Sequence, residues 1–188
     1  MDKNLGAYLK IYKDCFDEDF CKQTVKTLES SDWSKHYYSE GDGTRHTHDN
    51  DLSVSESSVE VQRVFNEKIW NVLHQYVVTD MKSLHGWFSS WQGFSAARFN
   101  RYDQSTEMRL HCDHIHTLFE GPRKGVPILT VLGALNKDYT GGEFIMWEDE
   151  VIDIPVGAIA VFPSNFLFPH EVRPIKSGIR YSYVSWAW

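Results

Sequence analysis

Residues 157–188 read GAIAVFPSNFLFPHEVRPIKSGIRYSYVSWAW, and this stretch decides the fold. It holds three short β-rich runs, GAIAVFP (157–163), HEVRP (170–174) and IRYSYVSWAW (179–188), punctuated by Gly157, Pro163 and Gly178. Strands this close, with no helical pattern between them, pair antiparallel. In the last run Ile179, Tyr181 and Tyr183 mark one buried face, whereas Arg180 and Trp186 share the other, because side chains alternate along a strand. Working back toward the N-terminus, the same pattern recurs in VIDIP (151–155), GEFIMW (142–147), PILTVLGALN (127–136), MRLHCD (108–113) and FSAARFNRY (94–102). Gly141 and Gly142 read as turn residues, since no helix follows to make them an anion site.

The first third reads as helical. In FDEDFCKQTVKTLESSDW (16–33), Asp17 stands at an N-cap behind Phe16, and Phe20, Cys21, Thr24, Val25 and Leu28 recur at helical spacing. A second helix is expected to begin near Ser57 or Ser58, with Val61, Val64, Phe65, Ile69, Val72, Leu73 and Tyr76 in one apolar stripe. Between them, Tyr37–Ser58 is polar and too long for an ordinary connector, so it reads as a flap or loop that includes His46, His48 and Asp49. Two helices followed by roughly eight strands predict an α+β, mainly β fold. The expected form is a double-sheet jelly roll with the N-terminal helices packed on one outer face. The organisation expected is a single domain over 1–188, helical to about residue 85 and β from about residue 87.

Composition narrows the function. The chain has 188 residues with 41% hydrophobic and 14% aromatic side chains, enough for one core. A formal net charge of −7 with no basic run argues against a nucleic-acid backbone as partner. No apolar run approaches the roughly 20 residues that cross a bilayer. The opening MDKNLGAYLKIYKDCF lacks the pattern of a secretory signal, so a cytoplasmic location is expected. Cys15, Cys21 and Cys112 follow no CxxC pattern and read as free thiols.

Chemistry concentrates in four residues. His111 and Asp113 stand two apart at the end of a strand and face the same way, and His170 in FPHEV could complete two imidazoles and a carboxylate. That donor set occupies about half of an octahedron and leaves positions open, which suits non-heme Fe(II) that must also bind a cosubstrate and oxygen. Arg180 could hold the far carboxylate of a dicarboxylate. HxD alone reads more simply as a polar strand edge; His170 and Arg180, in this order, turn the reading toward a metal. The neighbouring His114 and His116 raise a second possibility, a dinuclear zinc hydrolase, but their order is not the usual HxHxDH. Arg98, Arg101 and Arg109 could line the opening, but read by default as a solvated strand face.

The run from Tyr102 to Trp186 resembles the catalytic core of the prolyl 4-hydroxylase group of Fe(II)/2-oxoglutarate oxygenases. The likeness rests on Tyr102 nine residues before His111, on the HxD, on ILTVLGALN and TGGEF, and on the segment from Ile154 through His170 and Arg180 to Trp186. The N-terminal DCFDEDFCKQTVKTLE is similar to that family's opening helix. The resemblance implies a double-stranded β-helix and a dioxygenase that hydroxylates an unactivated C–H bond, releasing succinate and CO2. The favoured substrate is a prolyl residue of a peptide or protein. It implies Fe(II) as the metal, with His111, Asp113 and His170 as catalytic ligands, and 2-oxoglutarate and O2 as cosubstrates, with ascorbate as an accessory reductant. Arg180 and Tyr102 would bind 2-oxoglutarate. The family's second tyrosine hydroxyl is replaced here by Ala134, with Thr130 on the same face expected to compensate. Trp186, Arg109 and Trp91 are candidate substrate contacts. A free amino acid or another side chain as substrate, and a non-catalytic metal-containing binding module, stand as alternatives.

Overall fold

The computed structural model describes residues 4–39, 44–56, 59–82, 92–113 and 127–188. A 3-10 turn (Leu5–Tyr8) leads into β1 (Lys10–Tyr12) and α1 (Glu18–Glu29). Four short strands follow: β2 (Ser34–Lys35), β3 (Tyr38–Ser39), β4 (Arg45–His46) and β5 (Ser53–Ser55). Helix α2 (Val59–His74) runs on into a π-helical turn, Gln75–Asp80. Then come β6 (Arg98–Tyr102), β7 (Met108–His111), β8 (Leu129–Ala134), β9 (Thr140–Gly141), β10 (Phe144–Met146) and β11 (Glu150–Val151). The last four are β12 (Ile159–Pro163), β13 (His170–Val172), β14 (Ile175–Ser177) and β15 (Arg180–Ala187).

Among the described residues, seven strands form a larger sheet in the order β1-β12-β8-β15-β6-β5-β2, and four form a smaller one in the order β11-β10-β13-β7. All pairings within both are antiparallel. This is the mainly β, double-stranded β-helix expected from the strand runs, with two helices. Strands β1 and β2 lie in the region read as helical, and β3 to β5 within the stretch read as a flap or loop. They are two or three residues long and carry no periodicity that could announce them, yet β1 closes one edge of the larger sheet on β12. VIDIP contributes only Val151 to a strand.

Alternation sorts the larger sheet into two faces. Phe99, Val131, Ile159, Val161, Tyr181 and Tyr183 join Phe16, Cys21 and Leu28 of the first helical region and Phe65, Ile69 and Leu73 of α2 in one core. Tyr102, Leu132, Phe162, Val184 and Trp186 face the other way, against Phe144, Met146 and Val172 of the smaller sheet. Each fully buried ring of the first core, such as Phe65 or Phe99, contributes on the order of 1.5–3 kcal/mol. Helix α1 starts where expected: Asp17 Oδ1 accepts from Phe20 N at 2.7 Å, and the Phe16 and Phe20 rings stack at 5.3 Å. Cys15, Cys21 and Cys112 are free thiols. Among the described residues, no helix is long and apolar enough to cross a membrane.

The helical face leaves no room at Gly133. A Cβ there would lie 2.4 Å from both Ala158 O and Tyr183 Oη. Gly133→Ala is expected to cost about 1–3 kcal/mol through overpacking. That corresponds to a fall in Tm of roughly 2–12 °C for a chain of this size, readable by calorimetry; an unchanged Tm would show that the sheet does not approach so closely.

Candidate metal and cosubstrate site

The site lies between the sheets, in a cleft lined by the inner faces of β6, β8 and β15 on one side and β7, β10 and β13 on the other. In β7, simple alternation would carry Met108, Leu110 and Cys112 to one face. The structure instead has a bulge: Val172 and His170 of β13 register against Met108 and His111, two residues apart facing three. The extra residue turns Leu110 outward, 53% exposed, and brings Met108, His111 and Asp113 to the cleft together.

His111, Asp113 and His170 then converge, with one ligand atom of each within 4.8 Å of the others. His111 Nε2 lies 3.4 Å from Asp113 Oδ1, and His170 Nε2 lies 3.7 Å from Asp113 Oδ2. Neighbouring ligands around a six-coordinate ion at about 2.1 Å are about 3 Å apart, so a small inward movement accommodates one ion. The ring orientations are fixed from behind. His111 Nδ1 donates to Arg109 O at 2.7 Å, and His170 Nδ1 donates to Phe168 O at 3.0 Å. Both bonds leave Nε2 as the free lone pair, which is what a metal requires.

The charges agree with this reading. Burial works against ionisation of Asp113, but His170, His111 and the Thr130 hydroxyl outweigh it and hold the carboxyl well below the usual range. Burial pushes the His170 imidazole down to about 4, so it is neutral. Burial opposes the charged form of His111 too, yet the hydrogen bond and charge of Asp113 win and raise it. Metal binding at Nε2 therefore competes with protonation of His111, which Asp113 favours.

Thr130, expected beside the cosubstrate, has its hydroxyl engaged within the protein: Oγ1 donates to Asp113 Oδ2 at 2.7 Å and also bonds Ser164 Oγ at 2.8 Å. It therefore orients the carboxylate from behind. Thr130→Val keeps the shape and removes this donor. It is expected to weaken metal affinity about 10- to 100-fold, as losses behind a metal ligand do; a titration that matches the unaltered protein would assign the hydroxyl a packing role only.

Arg180 is 4% exposed at the start of β15, opposite Tyr102 of β6. Asn136 sets its backbone by donating to Ile179 O at 2.7 Å and accepting from Tyr181 N at 2.7 Å. Gly142, with φ +66°, gives the Arg180 stem its space: a Cβ there would lie 3.1 Å from Arg180 Cδ. The guanidinium covers the Tyr102 ring at 5.0 Å, and Nη1 donates to Ser182 Oγ at 2.9 Å. Its Nε is buried without a partner, and no carboxylate of the described residues lies within ion-pair distance. Trp186 also lines the cleft, with a buried Nε1 that lacks a partner. A buried guanidinium without an anion is costly unless a ligand completes it, and a dicarboxylate fits the vacant donors.

Among the other expected contacts, Arg109 is exposed and lies over the Tyr38 ring at 4.9 Å. Trp91, His114 and His116 fall outside the described residues. Arg101 pairs with Asp103 at 2.8 Å, away from the cleft. Three polar residues near the site were missed or undervalued: Arg98, Asn100 and His36. Arg98 and Asn100 line the cleft, and they share the face of Tyr102 at positions i−4 and i−2, so alternation alone could have found them. Burial, with the charges of Arg98 and His111, pushes His36 down to about 3; no sequence signal brings it here.

Residues 97–188 match the profile of the 2OG-Fe(II) oxygenase superfamily, where 2OG is 2-oxoglutarate. Over 53 residues the chain is 40% identical to a PKHD-type hydroxylase of Synechococcus sp. (strain JA-2-3B'a(2-13)). That match spans 27% of this chain and 23% of the relative, less than a quarter of its length. In overall structure the chain is similar to a Pseudomonas putida prolyl-4-hydroxylase, with TM-score 0.67 and 14% identity over 96% of this chain and 91% of that one. It is also similar to the viral collagen prolyl hydroxylase of Paramecium Bursaria Chlorella virus-1 in its 2-oxoglutarate complex (TM-score 0.62, 17%, over 96% and 94%). A third likeness is to a Trichoplax adhaerens prolyl hydroxylase bound to a fragment of the hypoxia inducible factor oxygen degradation domain (TM-score 0.64, 16%, over 97% and 84%). At these identities the structural likenesses establish the fold.

Proposed function

We propose that this chain, whose residues 97–188 belong to the 2OG-Fe(II) oxygenase superfamily, hydroxylates an unactivated C–H bond at the expense of 2-oxoglutarate and O2. The favoured substrate class is a prolyl residue of a peptide or protein. The observation that carries the reading is Arg180: a buried guanidinium with no anion among the described residues, in the same cleft as two imidazoles and a carboxylate set to take one metal. The substrate class is supported by the prolyl hydroxylases of the same fold, one of them holding a peptide.

In this reading His111, Asp113 and His170 hold Fe(II), and Arg180 forks onto the far carboxylate of 2-oxoglutarate with Tyr102 beside it. When bound together, Fe(II) and 2-oxoglutarate activate O2, one oxygen atom entering the substrate as a hydroxyl and the other entering succinate as CO2 leaves. The chain supplies position. Asp113, fixed by Thr130, and the two imidazoles, fixed by Arg109 O and Phe168 O, set where the metal sits. Leu132, Phe144, Val172 and Val184 give the cleft apolar walls that keep water from the reacting carbon. Selectivity then follows from which C–H is held nearest the metal.

The test is aerobic incubation of the protein with Fe(II), 2-oxoglutarate, ascorbate and a library of proline-containing peptides, followed by mass spectrometry. The expected product gains one oxygen atom and appears with one succinate. Oxygen-independent hydrolysis with two metals per chain would support the zinc-hydrolase alternative. Tight 2-oxoglutarate binding with no turnover on any substrate would support a binding module.

A further inference from the structure

The inner face of β6 carries a second guanidinium. Arg98, Asn100 and Tyr102 alternate toward the cleft and register against Val184, Ser182 and Arg180 of β15. Arg98 therefore lies four residues along the strand from the Tyr102–Arg180 pair, roughly 13 Å at the usual rise. Its guanidinium covers the Trp186 ring at 4.8 Å, and its Nε is buried with no partner. Among the described residues it forms no ion pair. Asp113, the nearby carboxylate, is already committed to Thr130 and lies beside both imidazoles. Unlike Arg180, the Arg98 side chain is partly exposed, so a molecule entering the cleft can reach it.

Among the described residues, two guanidiniums face one carboxylate in the lining of the cleft. A divalent metal and a doubly charged 2-oxoglutarate cancel each other, so these groups keep one positive charge in the loaded site, at the end remote from Arg180.

We propose that Arg98 is a specificity-determining residue that pairs with a carboxylate of the substrate, so that the preferred substrate is acidic next to the oxidised carbon. This rests on the oxygenase reading above and names its substrate class more narrowly. Its place over the Trp186 ring restrains the guanidinium, which suits two-point recognition of a carboxylate. That carboxylate has two sources: an acidic side chain beside the target residue, or the free α-carboxylate of an amino acid or chain end.

Two matched pairs separate the sources. The protein, loaded with Fe(II) and 2-oxoglutarate under anaerobic conditions, is titrated calorimetrically with N-acetyl-prolyl-aspartate amide and its asparagine counterpart, and with N-acetyl-proline and N-acetyl-prolinamide. At least one acid is expected to bind tenfold or more tightly than its amide. Arg98→Gln should erase that preference and Arg98→Lys restore part of it, while the 2-oxoglutarate affinity of Arg98→Gln stays within about twofold. The proposal is overturned if neither acid binds better than its amide, including no binding at all, or if Arg98→Gln weakens 2-oxoglutarate as loss of Arg180 does. Failure of 2-oxoglutarate itself to bind the unaltered protein would instead overturn the oxygenase reading.

Discussion

Replacing Asp113 by alanine is expected to lower affinity for Fe(II) or Mn(II) by more than about 100-fold and to abolish turnover. Losing a residue that merely orients a ligand costs 10–100-fold, and Asp113 is the only carboxylate in the three-residue cluster. Its removal leaves two imidazoles and no negative charge to balance a dication. The fold should survive: the surrounding strands are held by backbone pairing, and among the described residues Asp113 is hydrogen-bonded to the Thr130 side chain. Calorimetric metal titration beside a thermal melt separates the two effects. Metal affinity like that of the unaltered protein, in a folded variant, would remove Asp113 from the ligand set.

Loss of Arg180 should strike the cosubstrate and leave the metal. Arg180→Met keeps much of the stem's volume over Tyr102 and deletes the charge. Breaking a buried charge pair by removing one partner costs about 3–5 kcal/mol, which weakens 2-oxoglutarate roughly 10²- to 5 × 10³-fold. The apparent requirement for 2-oxoglutarate should rise accordingly, with little change in that for oxygen. N-oxalylglycine, which shares the far carboxylate, should lose affinity in parallel. Without ligand, the variant is expected to melt no lower than the unaltered protein, because the guanidinium it removes has no anion among the described residues. The stabilisation that 2-oxoglutarate gives the unaltered protein should vanish. An unchanged 2-oxoglutarate requirement would mean that Arg180 faces something else.

Much of this site was legible in the sequence because it depends on short spacings. His111 and Asp113 needed only the two-residue period of a strand, and Arg180 and Trp186 shared a face for the same reason. The cap at Asp17 was readable because its donor, Phe20 N, is three residues away. What escaped depends on partners distant in sequence. The bulge in β7 exists only relative to β13, so no count along MRLHCD could show that Leu110 turns outward while Met108 and His111 turn in. The hydroxyl of Thr130 was placed on the correct face, but the position of Asp113 decides which group it meets. Strand β1 is three residues long and is a strand only because β12 offers it an edge. Arg98 was read as solvated because strand charges usually are. The pairing of β6 between β5 and β15 places it inside the sheet, and alternation from Tyr102 then turns it to the cleft.

The central claim is that one metal and one dicarboxylate share this cleft. It is tested most directly by anomalous diffraction from crystals grown with Mn(II) and N-oxalylglycine. The expected map has a single anomalous peak touched by His111 Nε2, His170 Nε2 and one Asp113 oxygen, with the inhibitor's far carboxylate on Arg180. A peak elsewhere, a metal that His170 does not reach, or an inhibitor whose far carboxylate avoids Arg180 would contradict it.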